Sequence, residues 1–297
     1  MSLYLNEPLY LIYRYLGRKS HMLYLSGNLR YFFHIGYDGT RFHGWQRHPY
    51  GIGVQQVLET ALQKILKQPV AIVGCGRTDA GVHASQFFFH LDVARPWEFD
   101  MLFRLNKVLP PDIAVFDILP MEGLPHARFD ASQRSYDYLL HTYKDPFLHG
   151  ASALYLLPVL NLDAMQAAAA LLPLYQDYRN LCLTPAEHDS TLCHITAAGW
   201  SVNPQGDRLR FHISANRFLS RMIRILVGQL LQVGTGALSL PEFESYLALE
   251  RAPKHLSPAY PQGLYLSKVS YPFLNLPPRP AFLPIGHPEK AVGWQSF

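Results

Sequence analysis

One eleven-residue stretch limits the folds open to this chain more than any other: Gly74-Cys75-Gly76-Arg77-Thr78-Asp79-Ala80-Gly81-Val82-His83-Ala84. Three of its glycines fall within eight residues. Glycine takes backbone angles closed to other residues and lets a second backbone or a ligand come close. Apolar residues run into the stretch over 70–73 and out of it over 82–93, so it reads as a tight loop joining two strands. Arg77 and Asp79 sit at its apex. A guanidinium and a carboxylate in that position either serve chemistry or staple the loop, and function gathers on loops held by a rigid scaffold.

The rest of the chain supplies that scaffold. Tyr31, Phe33, Ile35 and Tyr37 alternate with Arg30, Phe32, His34 and Gly36, a period-two strand closed by the Asp38-Gly39 turn. Val54, Val57, Leu58, Ala61, Leu62 and Ile65 fall at helical spacing, and the helix must end before Pro69. A helix over 100–108 and a strand over 113–119 complete a first α/β unit. Residues 120–125 read as a linker. A second unit has strands over 136–143, 195–202, 209–215 and 264–271, with helices over 163–172, over 217–233 and after Pro241. This order predicts the α+β class, with two related domains built on mixed or antiparallel sheets. The boundaries are an extension over 1–28, a first domain over 29–122 that carries the Gly-rich loop, a second over 123–272, and a Pro-rich tail over 273–297. No sequence repeat links the two halves.

Composition narrows the class further. Of 297 residues, 49% are hydrophobic and 16% charged, ample for a core and unlike a disordered chain. The net charge of +4 is small, but five arginines (208, 210, 217, 221 and 224) and one acid fall between Asp207 and Arg224. A local basic face binds phosphates at modest net charge. Cys75, Cys182 and Cys193 are odd in number and widely spaced, which fits neither a disulfide framework nor a zinc site and points to the reducing cytoplasm. No apolar run reaches the roughly 20 residues of a membrane span. Residues 3–25 are rich in Leu and Tyr but broken by Arg14, Arg18 and Lys19, and read as an added packing element or as sequence from the vector or start site. The tail, opening at Leu276-Pro277-Pro278-Arg279-Pro280, is expected to wrap the surface or stay mobile.

Gly-Arg-Thr-Asp-Ala-Gly-Val-His, at 76–83, resembles the signature of the tRNA pseudouridine synthases of the TruA type. Further motifs of that family appear in order. Tyr37-Asp38-Gly39-Thr40, Gly44-Trp45-Gln46-Arg47 and Val54-Gln55 come first. Pro125-His126-Ala127-Arg128-Phe129-Asp130-Ala131 and Arg134-Ser135-Tyr136-Asp137-Tyr138 follow. Ala215-Asn216-Arg217-Phe218, Met222-Ile223-Arg224 and Gly263-Leu264-Tyr265-Leu266 close the set. The resemblance runs from about Leu29 to Pro272. It implies two domains flanking a basic cleft, with the loop in that cleft. It implies a cofactor-free enzyme that converts uridine to pseudouridine on the 3′ side of the tRNA anticodon stem and works as a homodimer.

The reaction breaks an N-glycosidic bond, turns the base and forms a carbon–carbon bond. A carboxylate suits the sugar side, either adding to C1′, stabilising charge there or removing a sugar proton. The resemblance implies Asp79 as the essential carboxylate and Arg224 as the arginine facing it. A carboxylate shielded from water keeps its charge best beside a cation. Within the helix predicted over 217–233, Arg217, Arg221 and Arg224 fall within about 60° of one face, an arginine stripe that meets either anions or plain solvent. Tyr136 takes the place of the family's base-stacking tyrosine, and Tyr138, two residues on, is a second candidate or a core residue. Arg77 matches the arginine that helps draw the target nucleotide from the stem. Leu264 matches the apolar wall opposite the tyrosine. Asp38, Asp92 and Asp130 read as turn residues. Cys75 stands where a small apolar residue is common and reads as a buried thiol, and residues 178–193 match the family loop only loosely. Two other readings share these residues: an RNA-binding protein with dead chemistry, and an N-glycoside hydrolase that releases free uracil.

Overall fold

The computed structural model describes residues 29–156 and 159–279, together with the backbone of Gln295–Ser296. The readings of the first 28 residues and of most of the tail lie outside the described residues.

Ten described strands form one mixed sheet: β1 (Leu29–Tyr37), β2 (Val73–Gly74), β3 (His83–Val93), β4 (Ile113–Pro120), β5 (Gln133–His141), β6 (Ala153–Leu154), β7 (Ile195–Val202), β8 (Arg208–Ala215), β9 (Leu264–Ser270) and β10 (Gln295–Ser296). Their order is β10-β7-β8-β5-β9-β3-β1-β4, with β2 beside β3 and β6 beside β5. Five α-helices accompany them among the described residues: α1 (Val54–Leu66), α2 (Met101–Val108), α3 (Leu162–Leu171), α4 (Met222–Gly234) and α5 (Leu240–Leu247). The α+β class therefore holds.

The sheet has two antiparallel groups. β1 lies between β3 and β4, and β5 lies between β8 and β9. The groups join where His83 and Ala84 run parallel to Tyr265 and Leu266. Two strand sets, read from the sequence as separate sheets, thus share one. A two-residue pairing between segments so far apart leaves no local pattern to read.

Each helix begins and ends for identifiable reasons. The Asp100 carboxylate accepts from Phe103 N–H, the Asn161 amide oxygen from Ala164 N–H and the Ser239 hydroxyl oxygen from Glu242 N–H, so α2, α3 and α5 carry side-chain caps. α1 stops at Lys67, whose left-handed backbone lets its N–H reach Gln63 O. α4 buries ten of its thirteen residues, and so needs packing on both flanks rather than an amphipathic face.

Phe32, Phe33, Phe87, Phe88 and Phe89 are all fully or almost fully buried, so both faces of β1 and β3 are covered. Phe33 stacks on Phe89 at 4.6 Å and Phe88 on His34 at 4.9 Å. The strand expected over 70–73 shrinks to Val73–Gly74, the only part that pairs with β3.

His90 is buried on β3, where its Nδ1 accepts from Ala127 N–H at 3.1 Å. Burial, then the charge of Arg30, pushes its pKa down to about 4. The folded value lies below the unfolded one of about 6.5, so protonation favours the unfolded chain. The stability is complete above about pH 6.5 and is lost as pH falls towards 4. On going from pH 7 to 4.5, the folded protein loses about 2–3 kcal/mol through this one imidazole. His90→Asn offers an amide oxygen to the same N–H and does not titrate. Urea midpoints at the two pH values should fall less for the variant than for the wild type; equal falls would refute the assignment.

Candidate active site

The loop between β2 and β3 is fixed before it reaches its charged residues. Cys75 N–H donates to Phe88 O at 2.7 Å. Trp45 N–H donates to Thr78 O at 3.2 Å, and the Thr78 hydroxyl meets the Tyr37 hydroxyl at 2.9 Å. Val82 N–H donates to Asp79 O, closing a turn at Gly81, whose φ is +75°. Asp79 is left at the apex with its side chain 35% exposed.

Arg224 meets it from the first turn of α4. Its Nη1 donates to Asp79 Oδ2 at 3.1 Å, across 145 residues of sequence. The arginine is itself held, since its Nε donates to Ala259 O at 2.7 Å and its backbone O accepts from Ala259 N–H at 2.8 Å. Tyr136 stands on β5, between Ile213 of β8 and Leu266 of β9. Phe218 packs edge-on against its ring at 5.2 Å. Burial pushes the Tyr136 phenol well above the ordinary range, so it holds its proton at neutral pH. Among the described residues its hydroxyl makes no hydrogen bond.

These groups line one pocket. Arg77, Asp79, Tyr136, Arg221, Arg224 and Leu264 all border it, together with Val82, Phe218 and Met222. Its volume is about 80 Å³, room for one small ring and far short of the several hundred Å³ that a drug-sized ligand fills. Three guanidiniums and one carboxylate give it a net positive lining.

Arg217 does not border the pocket, and the arginine stripe expected on one helix face does not exist. The helix begins at Met222, not at residue 217. Arg221 precedes it with φ +54°, in the left-handed region, so no helical periodicity relates 217, 221 and 224. Arg221 reaches the pocket by way of that turn. Asp38, Asp92 and Asp130 do not border the pocket. Asp38 accepts from Thr40 N–H, Asp92 from Arg30, and Asp130 from His126 N–H. Cys75 is fully buried, and burial raises its thiol to about 11. Tyr138 is a core residue whose hydroxyl donates to Tyr260 O. By sequence pattern Phe218 is helix packing; its place beside Tyr136 follows from the loop over 217–221, which has no periodic signal.

The loop's position depends on a neighbouring glycine. Gly44 has φ +81°, and a Cβ there would lie 2.3 Å from Thr78 O. Gly44→Ala should push the loop and lower single-turnover rates on the order of 10²-fold, the cost of a 1 Å misplacement. Gly123 also has positive φ, +67°, but nothing lies within 4 Å of a Cβ. Gly123→Ala carries the same kind of strain, roughly 1–2 kcal/mol, and should keep its turnover. Equal rates for the two variants would refute a loop held by close approach.

Known proteins resemble this chain along most of its length. A family model described as tRNA pseudouridine synthase matches residues 169–272. The chain is 42% identical over 246 residues to the tRNA pseudouridine synthase A of Porphyromonas gingivalis, covering 82% of this chain and 97% of the relative. It is 42% identical over 247 residues to that of Parabacteroides distasonis, covering 82% and 96%, and 36% identical over 267 residues to that of Aeromonas hydrophila, covering 89% and 98%. With relatives this similar matched along nearly their whole length, and with the loop, the tyrosine and the facing arginine gathered in one pocket, the chain belongs to the tRNA pseudouridine synthase A family.

Proposed function

We propose that this chain isomerises uridine to pseudouridine in tRNA, on the 3′ side of the anticodon stem, with Asp79 as the essential carboxylate. The observation that carries the reading is the contact of Arg224 with Asp79 in a pocket walled by Tyr136 and Leu264. A binding protein has no use for a carboxylate in a phosphate-attracting pocket. A carboxylate that must act on a sugar does have a use for a fixed cation beside it.

The uridine leaves the stem and Arg77 fills part of the gap. Asp79 acts on the sugar, by addition to C1′ or by taking a sugar proton, as the N1–C1′ bond breaks and its electron pair stays on the base. The base turns beneath Tyr136, C5 bonds to C1′, the C5 proton leaves and N1 gains one. The exchange is redox-neutral and asks for no cofactor. Two domains flank the basic cleft, over 29–122 and 123–272, and the enzyme acts in the cytoplasm as a homodimer. Among the described residues no helix is long and apolar enough to cross a membrane.

The test uses tRNA labelled in the uracil ring. All label should remain in the RNA and appear as pseudouridine. Free uracil released in step with turnover would replace the synthase reading with that of a hydrolase. No change to the RNA, with binding intact, would leave only an RNA-binding protein.

A further inference from the structure

Arg134 is the second residue of β5, the strand that carries Tyr136 two residues on and on the same face. Its guanidinium has five N–H donors, and every one is used. Nε and Nη2 donate to Cys75 O at 3.2 and 2.7 Å. The second Nη2 hydrogen goes to Arg128 O at 2.7 Å. Nη1 donates to Ala131 O at 3.4 Å and to Asn216 O at 3.2 Å. All four acceptors are backbone carbonyls, and no carboxylate pairs with Arg134 among the described residues.

Arg134 is half-buried, and a guanidinium partly withdrawn from water is held best where its whole fork finds acceptors. Here the satisfied fork joins three chain segments at one point. Cys75 O opens the loop that ends in Arg77 and Asp79. Asn216 O opens the turn through Phe218 and Arg221 to Arg224. Arg128 O and Ala131 O belong to the turn that leads into β5 itself. The carboxylate, its facing arginine and the base-stacking tyrosine thus all depart from carbonyls held by one planar group. Lysine carries the same charge but lacks a planar fork. It can reach one or two of these carbonyls and cannot set the angle between them.

We propose that Arg134 is a positioning residue of the isomerisation. It fixes the Asp79 loop and the Arg224 segment around Tyr136 and does not itself touch the substrate. This rests on the reading of Asp79 as the reacting carboxylate.

The test compares wild type, Arg134→Lys, Arg134→Ala and Asp79→Asn by single-turnover pseudouridine formation, tRNA affinity and melting temperature. Arg134→Lys should lose on the order of 10²-fold in rate, with tRNA affinity within about threefold of wild type. Millimolar guanidinium added to Arg134→Ala should restore at least part of the rate, and ammonium, equally charged but without the fork, should not. Should Arg134→Ala fail to fold, Arg134→Lys carries the test alone through its rate and affinity. A lysine variant with the wild-type rate would overturn the inference, because charge alone would then suffice. So would a lysine variant whose whole loss lies in tRNA affinity, because Arg134 would then be a phosphate contact. An active Asp79→Asn would instead overturn the reading of the carboxylate, whatever the Arg134 variants do.

Discussion

Asp79→Asn should form no pseudouridine and still bind tRNA as well as the wild type or slightly better. The substitution keeps shape and removes the anion. The asparagine side-chain oxygen can still accept from Arg224 Nη1, now 3.1 Å from Asp79 Oδ2, so the guanidinium is not left unpartnered and the pocket keeps its form. What is lost is the carboxylate that the proposed reaction uses on the sugar. The expected fall is at least about 10⁴-fold, the scale on which enzymes lose a group that carries the chemistry. Affinity holds or improves because one negative charge leaves a surface that faces phosphates. Pseudouridine mapped by a specific chemical adduct gives the first quantity, and filter binding the second. Turnover above background in this variant would sink the role of Asp79.

Tyr136 carries the second large effect. Among the pocket's lining residues, Asp79 and Tyr136 are the only titratable groups besides the arginines. In the proposed reaction Asp79 works on the sugar side, and the C5 proton must leave on the base side. Burial keeps the phenol protonated, so it can relay a proton, giving one as it takes another, rather than stand as a phenolate. Tyr136→Phe keeps the ring and its edge-on contact with Phe218 and should lose about 10²–10⁴-fold, the range for an acid–base group. Tyr136→Leu loses the stack as well, worth about 1–3 kcal/mol per base, and should fall a further 10- to 100-fold. A phenylalanine variant within a few-fold of wild type would reduce Tyr136 to a stacking platform and move the proton transfer to Asp79.

Much of the fold is legible locally. α1 follows from Val54, Leu58 and Leu62 at helical spacing, and β7 from a short apolar run whose observed limits, Ile195–Val202, match the expected ones. The departures share a cause. The helix expected from residue 217 starts at Met222 because Arg221 adopts a left-handed turn, a backbone state set by packing around the pocket and not by the arginine. Val70 to Ile72 are apolar enough for a strand but find no partner strand; instead Ile72 N–H donates to the buried Glu59 carboxylate. At the site, Asp79 and Arg224 could be paired in advance only through resemblance, because 145 residues separate them. Arg134 gave no signal of its role, since its partners are backbone carbonyls and carbonyls have no spelling.

β9 lies at the centre of the sheet, between β5 and β3, although it follows them in the chain by more than a hundred residues. A ribosome makes the chain from its N-terminus, so the strand that joins the two antiparallel groups emerges after β1, β3, β4, β5, β7 and β8. Until then β3 at His83 and Ala84, and β5 from Gln133 to Tyr138, each present an unpaired stretch of inner edge, the kind of surface that invites wrong partners. The nascent chain must hold these two edges apart from each other and from its neighbours until Leu264–Ser270 arrives. Closure is then also the moment at which Leu264 takes its place in the pocket wall. A polypeptide cut short before that strand has every charged residue of the site and no completed pocket to hold them, so the capacity to modify RNA arises only once Leu264–Ser270 has been made.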